Sequence, residues 1–186
     1  MDLRTPTAPP PSPTTGHDDD DAHALLRLDA QLCFPLYAAS NLVTRAYRPL
    51  LEPLGLTYPQ YIALLALWEG GALTVRALGE RLLLDSGTLS PLLSRLEQRG
   101  LVSRAPHPGD RRQVVVRPTA AGWALRAQAA GVPQALLCRV FGGRPPESDD
   151  ERAALLALRG QLQQLVVALQ RAVDPVDPLP PPEPTA

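Results

Sequence analysis

Residues 74–100, TVRALGERLLLDSGTLSPLLSRLEQRG, and 101–118, LVSRAPHPGDRRQVVVRP, decide the fold. Thr74 stands where a side-chain oxygen caps a short helix, Val75 to Leu83. Asp85-Ser86-Gly87-Thr88 reads as a turn. The next helix presents Leu89, Leu92, Leu93 and Leu96 at i, i+3, i+4 and i+7, a single apolar face, and stops at Gly100. Pro91 fits without loss only in a first turn, which favours Thr88 as the N-cap. Leu101 to Arg104 reads as a strand. Ala105 to Arg112 reads as a turn, with Pro106, Pro108 and Gly109, and Val114 to Val116 as a second strand. Helix, turn, helix, hairpin is the order of a winged helix-turn-helix. The expected fold class is mainly α with a small β-hairpin (α+β).

Outward from this unit, both flanks are helical. Upstream, a helix is expected from about Phe34 to Leu51, with Leu36, Val43 and Leu50 at helical spacing. Pro35 suits its first turn, and an extension from Ala24 would be kinked there. Pro53 and Gly55 stop it. Thr57 then caps a second helix, with Pro59 near its start, Ile62, Leu65 and Trp68 as the inward face, and Gly70-Gly71 at its end. Downstream, Thr119 opens a helical stretch in which Leu125, Ala129, Val132, Leu136 and Val140 keep helical spacing and Pro133 bends the chain. Ser148-Asp149-Asp150-Glu151 is a capping box. After it, Leu155, Leu158, Leu162, Leu165 and Leu169 alternate by three and four. Such a seam fits a partner helix across a dimer; an ordinary core face is the other reading.

The ends differ in composition. Residues 1–23 carry Pro6, Pro9, Pro10, Pro11 and Pro13 and the run Asp18 to Asp21, and are expected to be disordered. Residues 174–186, with six prolines, are expected to form a stiff exposed tail. One domain, 24–173, lies between them. The winged unit covers about 57–118, and helices for dimerisation are expected at about 24–53 and 119–173.

The 186 residues carry 18 basic and 19 acidic side chains, a net charge of −1. That balance hides an asymmetry. Residues 31–139 hold twelve arginines against six acidic residues, and the flanks hold six arginines against thirteen. A positive middle is where a nucleic-acid surface is expected. Apolar runs are too short to span a membrane, and the N-terminal segment has no apolar core of a signal peptide. A cytoplasmic protein without membrane association is the expectation. Two cysteines, Cys33 and Cys138, are too few for a disulfide scaffold or a structural zinc site, so neither metal nor cofactor is expected.

Three groups of residues carry chemistry. On the second helix of the helix-turn-helix, Ser86, Gly87, Thr88 and Ser90 are small enough to let a helix N-terminus approach phosphates and base edges, and Arg95 reaches a phosphate or a guanine edge. On the hairpin, Arg104, Arg111, Arg112 and Arg117 gather, and Asp110 stands two residues before Arg112, placed to orient its guanidinium toward a minor groove. An Asp–Arg pair that merely pins a turn is compatible with this. Third, Cys33 falls at or just before a helix start, where partial positive charge favours a thiolate. Tyr37, Tyr47, Tyr58 and Tyr61 are the chain's four tyrosines, and a phenol can donate to a thiolate or sulfenate. An inert core thiol is the other reading of a cysteine among Leu32, Phe34 and Leu36.

Leu32-Cys33-Phe34-Pro35-Leu36-Tyr37, Leu54-Gly55-Leu56-Thr57-Tyr58-Pro59-Gln60-Tyr61 and the run from Leu78 through Asp85-Ser86-Gly87-Thr88-Leu89 to Leu93 resemble the organic hydroperoxide-sensing branch of the MarR regulators. Asp110-Arg111-Arg112-Gln113-Val114 resembles the wing signature of the whole superfamily. The resemblance covers roughly 31–140. It implies a homodimeric repressor that binds a palindromic operator in double-stranded DNA and leaves it when an organic hydroperoxide oxidises one cysteine. Cys33 matches the peroxidatic cysteine. Tyr47 and Tyr58 match tyrosines that reach it from the other subunit, and Tyr37 matches a nearby aromatic. Cys138 matches the resolving cysteine of a two-cysteine subgroup, which closes an intersubunit disulfide. Three positions depart from the pattern: Pro35, Ser94 in place of a basic residue, and Pro118 after the wing. Two other readings of the chain are a MarR-type regulator released by an aromatic ligand, with passive cysteines, and a thiol peroxidase using Cys33 and Cys138.

Overall fold

The computed structural model describes residues 26–173. The tails expected at 1–23 and 174–186 lie outside the described residues. The chain divides into two compact units, one running through Arg48 and one starting at Pro49.

The first unit holds a 3-10 turn, Leu28–Ala30, and most of helix α1, Cys33–Leu51. Among the described residues no α-helix runs into α1 from upstream, because Arg27 and Gln31 on either side of the 3-10 turn are both extended. Pro35 is the third residue of α1, where a missing N–H costs nothing. Leu42 and Val43 are exposed on this helix.

The second unit begins inside the last turn of α1, at Pro49. The helix runs into a 3-10 turn, Glu52–Leu54, which Gly55 ends in the left-handed region at φ 64°. Helix α2 follows at Tyr58–Gly70. Thr57 opens it as expected, and Gln60 Oε1 accepts from the Thr57 N–H at 2.9 Å. Its inward face differs from the sequence reading. Tyr61, Leu64, Leu67 and Trp68 are buried, whereas Leu65 is exposed and Ile62 half-buried. Counting from Trp68, the buried positions are i−4 and i−7, so the helix is turned by about one residue from the expected face.

Thr74 caps helix α3, Val75–Leu82, by accepting from the Ala77 N–H at 3.1 Å. Leu83 takes the left-handed conformation at φ 55°, and the chain turns sharply into helix α4, Ser86–Gln98. Gly79 makes this turn possible. A Cβ there would stand 2.9 Å from the Leu84 carbonyl oxygen. The cap of α4 corrects the sequence reading. Asp85, not Thr88, is the N-cap, and its Oδ1 accepts from the Thr88 N–H at 2.8 Å. Ser86 to Thr88 are therefore helix rather than turn, and Pro91 sits inside the helix. Pro91 removes one hydrogen bond, to the carbonyl of Gly87, but Gly87 is exposed to solvent, so that carbonyl is not stranded.

Strands β1 (Leu73–Thr74), β2 (Val102–His107) and β3 (Asp110–Pro118) form an antiparallel sheet in the order β1-β3-β2. The hairpin is longer than expected: Ala105 to His107 and Asp110 to Arg112 are strand, and only Pro108 and Gly109 turn. Strand pairing tolerates Pro106 because β2 is an edge strand and breaks register between Pro106 and His107. Leu73 and Thr74 pair with Val116 and Val115 and add the third strand.

The core of this unit is Leu51, Tyr61, Leu64, Leu67, Leu78, Leu89, Leu93, Leu96, Val102 and Val116, each almost fully buried. All four leucines expected on the inner face of α4 are buried there. The stretch opened by Thr119 is two helices, α5 (Ala120–Ala129) and α6 (Val132–Val140), with Pro133 in the first turn of the second. Helix α7, Asp149–Val173, starts at the expected box: the Glu151 N–H donates to Ser148 Oγ at 3.1 Å. Hydrogen bonds from the Arg144 guanidinium, then from the Glu147 and Ser148 N–H groups, pull the Glu151 carboxyl down to about 2. No residue of α7 is buried, and Leu158, Leu162 and Leu169 of its seam are exposed.

Gly122 is where α5 meets the sheet. Its carbonyl accepts from Trp68 Nε1 at 2.9 Å, and a Cβ there would lie 2.1 Å from the Leu101 carbonyl oxygen. Gly122→Ala must push α5 off Leu101. Expected is a loss of about 1–3 kcal/mol, the usual cost of overpacking, read as a lower urea midpoint at unchanged slope.

Candidate nucleic-acid interface and the cysteine positions

Helix α4 and the β2–β3 hairpin are joined at one end by a clamp. Arg104 on β2 donates to Glu97 on α4 from Nε at 2.8 Å and from Nη2 at 2.6 Å, and its N–H donates to the same carboxylate at 3.1 Å. The Arg104 guanidinium holds the Glu97 carboxyl below its ordinary range. Arg104 thereby leaves the set of free hairpin arginines and becomes the strut that sets the hairpin against the helix. Sequence alone groups Arg104 with the basic residues of the hairpin and misses Glu97 as its partner. The signal is there: Glu97 stands just before the Gly100 turn, and Arg104 just after it.

A second strut runs from the same end of α4. Arg99 Nη2 donates to the Leu54 carbonyl at 3.1 Å, and Nη1 donates to the Gly55 carbonyl. The C-terminal end of α4 is thus tied both to the hairpin and to the turn that follows α1.

At the other end of α4 lie the small residues read from the sequence. Ser86, Gly87, Thr88 and Ser90 are exposed. The Thr88 hydroxyl is not free, because it donates to Asp85 Oδ2 at 3.0 Å. The Thr88 N–H, then its hydroxyl, lowers the Asp85 carboxyl below its ordinary value. A charged carboxylate therefore occupies the N-terminus of α4, where an incoming phosphate would otherwise be drawn. Ser86, Ser90 and, one turn on, Arg95 remain open to a ligand.

At the tip of the hairpin, Asp110 and Arg112 pair as their spacing suggests. Asp110 Oδ1 accepts from the Arg112 N–H at 3.1 Å and from Arg112 Nε at 3.2 Å, and Oδ2 accepts from Gln113 Nε2 at 3.2 Å. These bonds, led by the Arg112 backbone N–H, lower the Asp110 carboxyl. The Arg112 side chain is 92% exposed although it is ion-paired. Asp110 thus fixes the base of the guanidinium and leaves its outer edge presented to solvent. Arg111 and Arg117 are exposed on the same strand. Thr74, Ser86, Ser90, Arg104, Arg112 and Gln113 share the lining of one open cleft of about 600 Å³, which brings α3, the start of α4 and the hairpin together.

The cysteines are both free thiols. Cys33 is the first residue of α1 and exposed, with Leu32 and Phe34 exposed beside it. Within this chain Cys33 is therefore no part of the core. Tyr37 lies one turn further on the same face and is 68% exposed. Tyr47 is fourteen residues along the same helix, about 21 Å at 1.5 Å per residue, so it cannot meet the Cys33 of its own helix. Tyr58, at the start of α2, is half-buried, and burial raises its phenol above the ordinary value. Cys138 is half-buried in α6. Among the described residues no helix is long and apolar enough to cross a membrane, and no group of three His, Cys, Asp or Glu side chains is placed to hold a metal ion.

Comparison with known proteins gives a consistent set of relatives. Residues 54–113 match the profile described as the MarR family. The chain is 49% identical over 112 residues to the organic hydroperoxide resistance transcriptional regulator of Bacillus subtilis, covering 60% of this chain and 76% of that one. It is 47% identical over 142 residues to the HTH-type transcriptional regulator TtmR of Methylorubrum extorquens, covering 76% and 68%. Among solved structures it is similar to reduced AbfR bound to DNA, with a TM-score of 0.58, 34% identity and coverage of 78% and 99%. It is also similar to a mutant of MarR from Escherichia coli complexed with operator DNA, with a TM-score of 0.61, 28% identity and coverage of 77% and 96%.

Proposed function

The chain belongs to the MarR family of transcriptional regulators, a family of regulators and not of enzymes, and from that premise we propose that it is a homodimeric DNA-binding repressor that senses organic hydroperoxides through Cys33. The observation that carries the reading is the exposed thiol at the first residue of α1, set between exposed Leu32 and Phe34. It has the access an oxidant needs and the apolar surroundings that favour an organic peroxide over hydrogen peroxide. The nearly half-identical Bacillus subtilis regulator, whose name specifies organic hydroperoxide resistance, supports it.

The chemistry balances in two steps. The Cys33 thiolate attacks the hydroxyl oxygen of the peroxide, the O–O bond breaks, the alkoxide leaves and takes a proton from solvent to become an alcohol, and Cys33 becomes a sulfenic acid. The Cys138 thiol of the partner subunit then attacks that sulfur, a disulfide forms, and water leaves. Tyr47 and Tyr58 of the partner subunit donate to the thiolate and sulfenate, with Tyr37 beside them. The separation of about 21 Å between Tyr47 and its own Cys33, at the helical rise per residue, supports taking the Tyr47 of this site from a second copy. The exposed leucine seam of α7 and the exposed apolar residues of α1 supply surface for such a copy to cover.

On DNA, α4 enters the major groove with Ser86, Gly87, Thr88, Ser90 and Arg95 toward it. The hairpin is the wing, with Asp110, Arg111 and Arg112 at the adjoining minor groove. Asp85 opposes the phosphate backbone here. Asp85→Asn keeps an oxygen for the Thr88 N–H and removes the charge, so it binds duplex a few-fold more tightly with a steeper salt dependence, as read by fluorescence anisotropy over a salt series.

The test of the whole reading is a mobility shift of the chain's own promoter region, with and without cumene hydroperoxide. Retardation by the reduced protein and release on oxidation are expected; absence of either rejects it. One observation favours a second reading, release by an aromatic ligand. Tyr61, Leu65, Trp68, Glu69 and Arg126 line a small cleft of about 260 Å³ between α2 and α5, mostly apolar, with one carboxylate and one guanidinium among its lining residues. A phenolate that releases operator from a protein lacking Cys33 would select it.

A further inference from the structure

Beyond the residues already assigned, the tip of the wing carries one more side chain placed for recognition. His107 and Asp110 are cross-strand partners around the Pro108-Gly109 turn, so their side chains leave the same face of the hairpin. Arg112, two residues after Asp110, shares that face. The register break between Pro106 and His107 re-aims the strand at this residue. The Gly109 N–H donates to His107 Nδ1 at 3.1 Å. An Nδ1 that accepts carries no proton, so the proton of the neutral imidazole is on Nε2. Asp110 spends its oxygens on Arg112 and Gln113. The turn therefore holds the ring in one tautomer and leaves Nε2–H as a donor at the tip.

We propose that His107 is a second base-reading residue of the wing, selecting A·T over G·C at one minor-groove position beside that read by Arg112. This rests on the reading of the hairpin as a DNA-contacting wing. In the minor groove A·T and T·A pairs present only acceptors, adenine N3 and thymine O2, whereas G·C adds the guanine amino donor. A donor locked at Nε2 matches the first and meets a like group on the second. If the Nδ1 contact only pinned the turn, the ring would stabilise the tip without distinguishing base pairs, and that difference is measurable.

The experiment starts from duplexes selected out of a random library by the full-length protein. Base pairs flanking each half-site are then changed one at a time from A·T to G·C and to I·C. Inosine lacks the guanine amino group and presents the minor-groove edge of A·T while keeping the major-groove edge of G·C. Expected is one position per half-site where G·C weakens binding about tenfold, where I·C does not, and where His107→Phe removes the discrimination. Discrimination at the Arg112 position, the salt slope and the thermal midpoint stay as in the parent. A His107→Phe protein that keeps the parental preference at every position overturns the proposal and leaves the wing reading standing. A parent that selects no sequence and retards no duplex overturns the DNA-binding reading, and this proposal with it.

Discussion

Cys33→Ser holds its operator with the affinity of the parent and keeps it through a dose of cumene hydroperoxide that releases the parent. Both halves follow from the site. Cys33 is exposed and makes no part of the core, so an oxygen in place of sulfur leaves the fold and the DNA surface intact. An alcohol cannot enter the sulfur oxidation ladder, so the switch has no first step. The size of the effect is that of the whole response. A roughly thousandfold loss of operator affinity on oxidation corresponds to about 4 kcal/mol of coupling between the thiol and the DNA surface, and Cys33→Ser removes all of it. Cys138→Ser separates the two chemical steps. It traps with a sulfenic-acid reagent after oxidation and shows no covalent dimer on a non-reducing gel. Tyr47→Phe and Tyr58→Phe are expected to fold and bind DNA but to release it more slowly, if each supplies the donor to the sulfur proposed for it. Mobility shifts over an oxidant series read the Cys33 and tyrosine variants. A Cys33→Ser protein that still releases DNA on oxidation would sink the assignment of Cys33 as the sensing thiol.

What sequence can and cannot show of the fold divides by distance along the chain. Caps at Thr74, Thr119 and Ser148 are legible because each is one side chain bonding an N–H three residues away. The inner face of α4 is legible because four leucines at helical spacing leave one way to bury them. Strand β1 is not legible. Two residues carry no periodicity, and Leu73 and Thr74 become a strand only because Val115 and Val116 arrive beside them from a distant part of the chain. The start of α4 misleads for a different reason. The rule that keeps proline to a first turn weighs one lost hydrogen bond. Asp85 accepts two from Thr88, and the carbonyl Pro91 leaves unpaired is open to water.

The candidate site shows the same division. Asp110 and Arg112 pair as a spacing of two suggests, since a tight turn leaves little freedom. Arg104 reads as one of the free hairpin arginines, yet its charge is spent on Glu97, seven residues back and on another element. Counting arginines therefore overstates the positive field of the wing. Asp85, absent from the sequence reading of the interface, adds a negative charge at the helix end that was expected to face phosphate. The tyrosines divide as well. That Tyr47 cannot meet Cys33 on its own helix follows from a continuous α1, which the helix expected from about Phe34 to Leu51 already implies; the half-burial of Tyr58 depends on packing that no local spacing shows.

Arg112→Ala weakens operator binding about ten- to a hundredfold, the cost of losing one well-placed base or groove contact. Its side chain is held at the base by Asp110 and open at the tip, so almost no folding stability depends on it. The loss therefore appears in affinity and not in thermal midpoint. Two further measurements identify the groove. The salt slope falls by no more than about one ion, because one cation is removed. Selectivity for A·T at the wing position is lost with it, which a phosphate contact would not produce. The pair with Asp110 supplies a sign test. Once Arg112 is gone, the Asp110 carboxylate loses that guanidinium and faces the DNA as a less compensated negative charge, so part of the loss is repulsion. Asp110→Asn added to Arg112→Ala recovers some affinity, whereas Asp110→Asn alone weakens binding, because the guanidinium is no longer held. A cycle in which the two changes simply add would mean that Asp110 does not orient Arg112 in the complex, and that the ion pair seen in the free protein opens when the wing meets DNA.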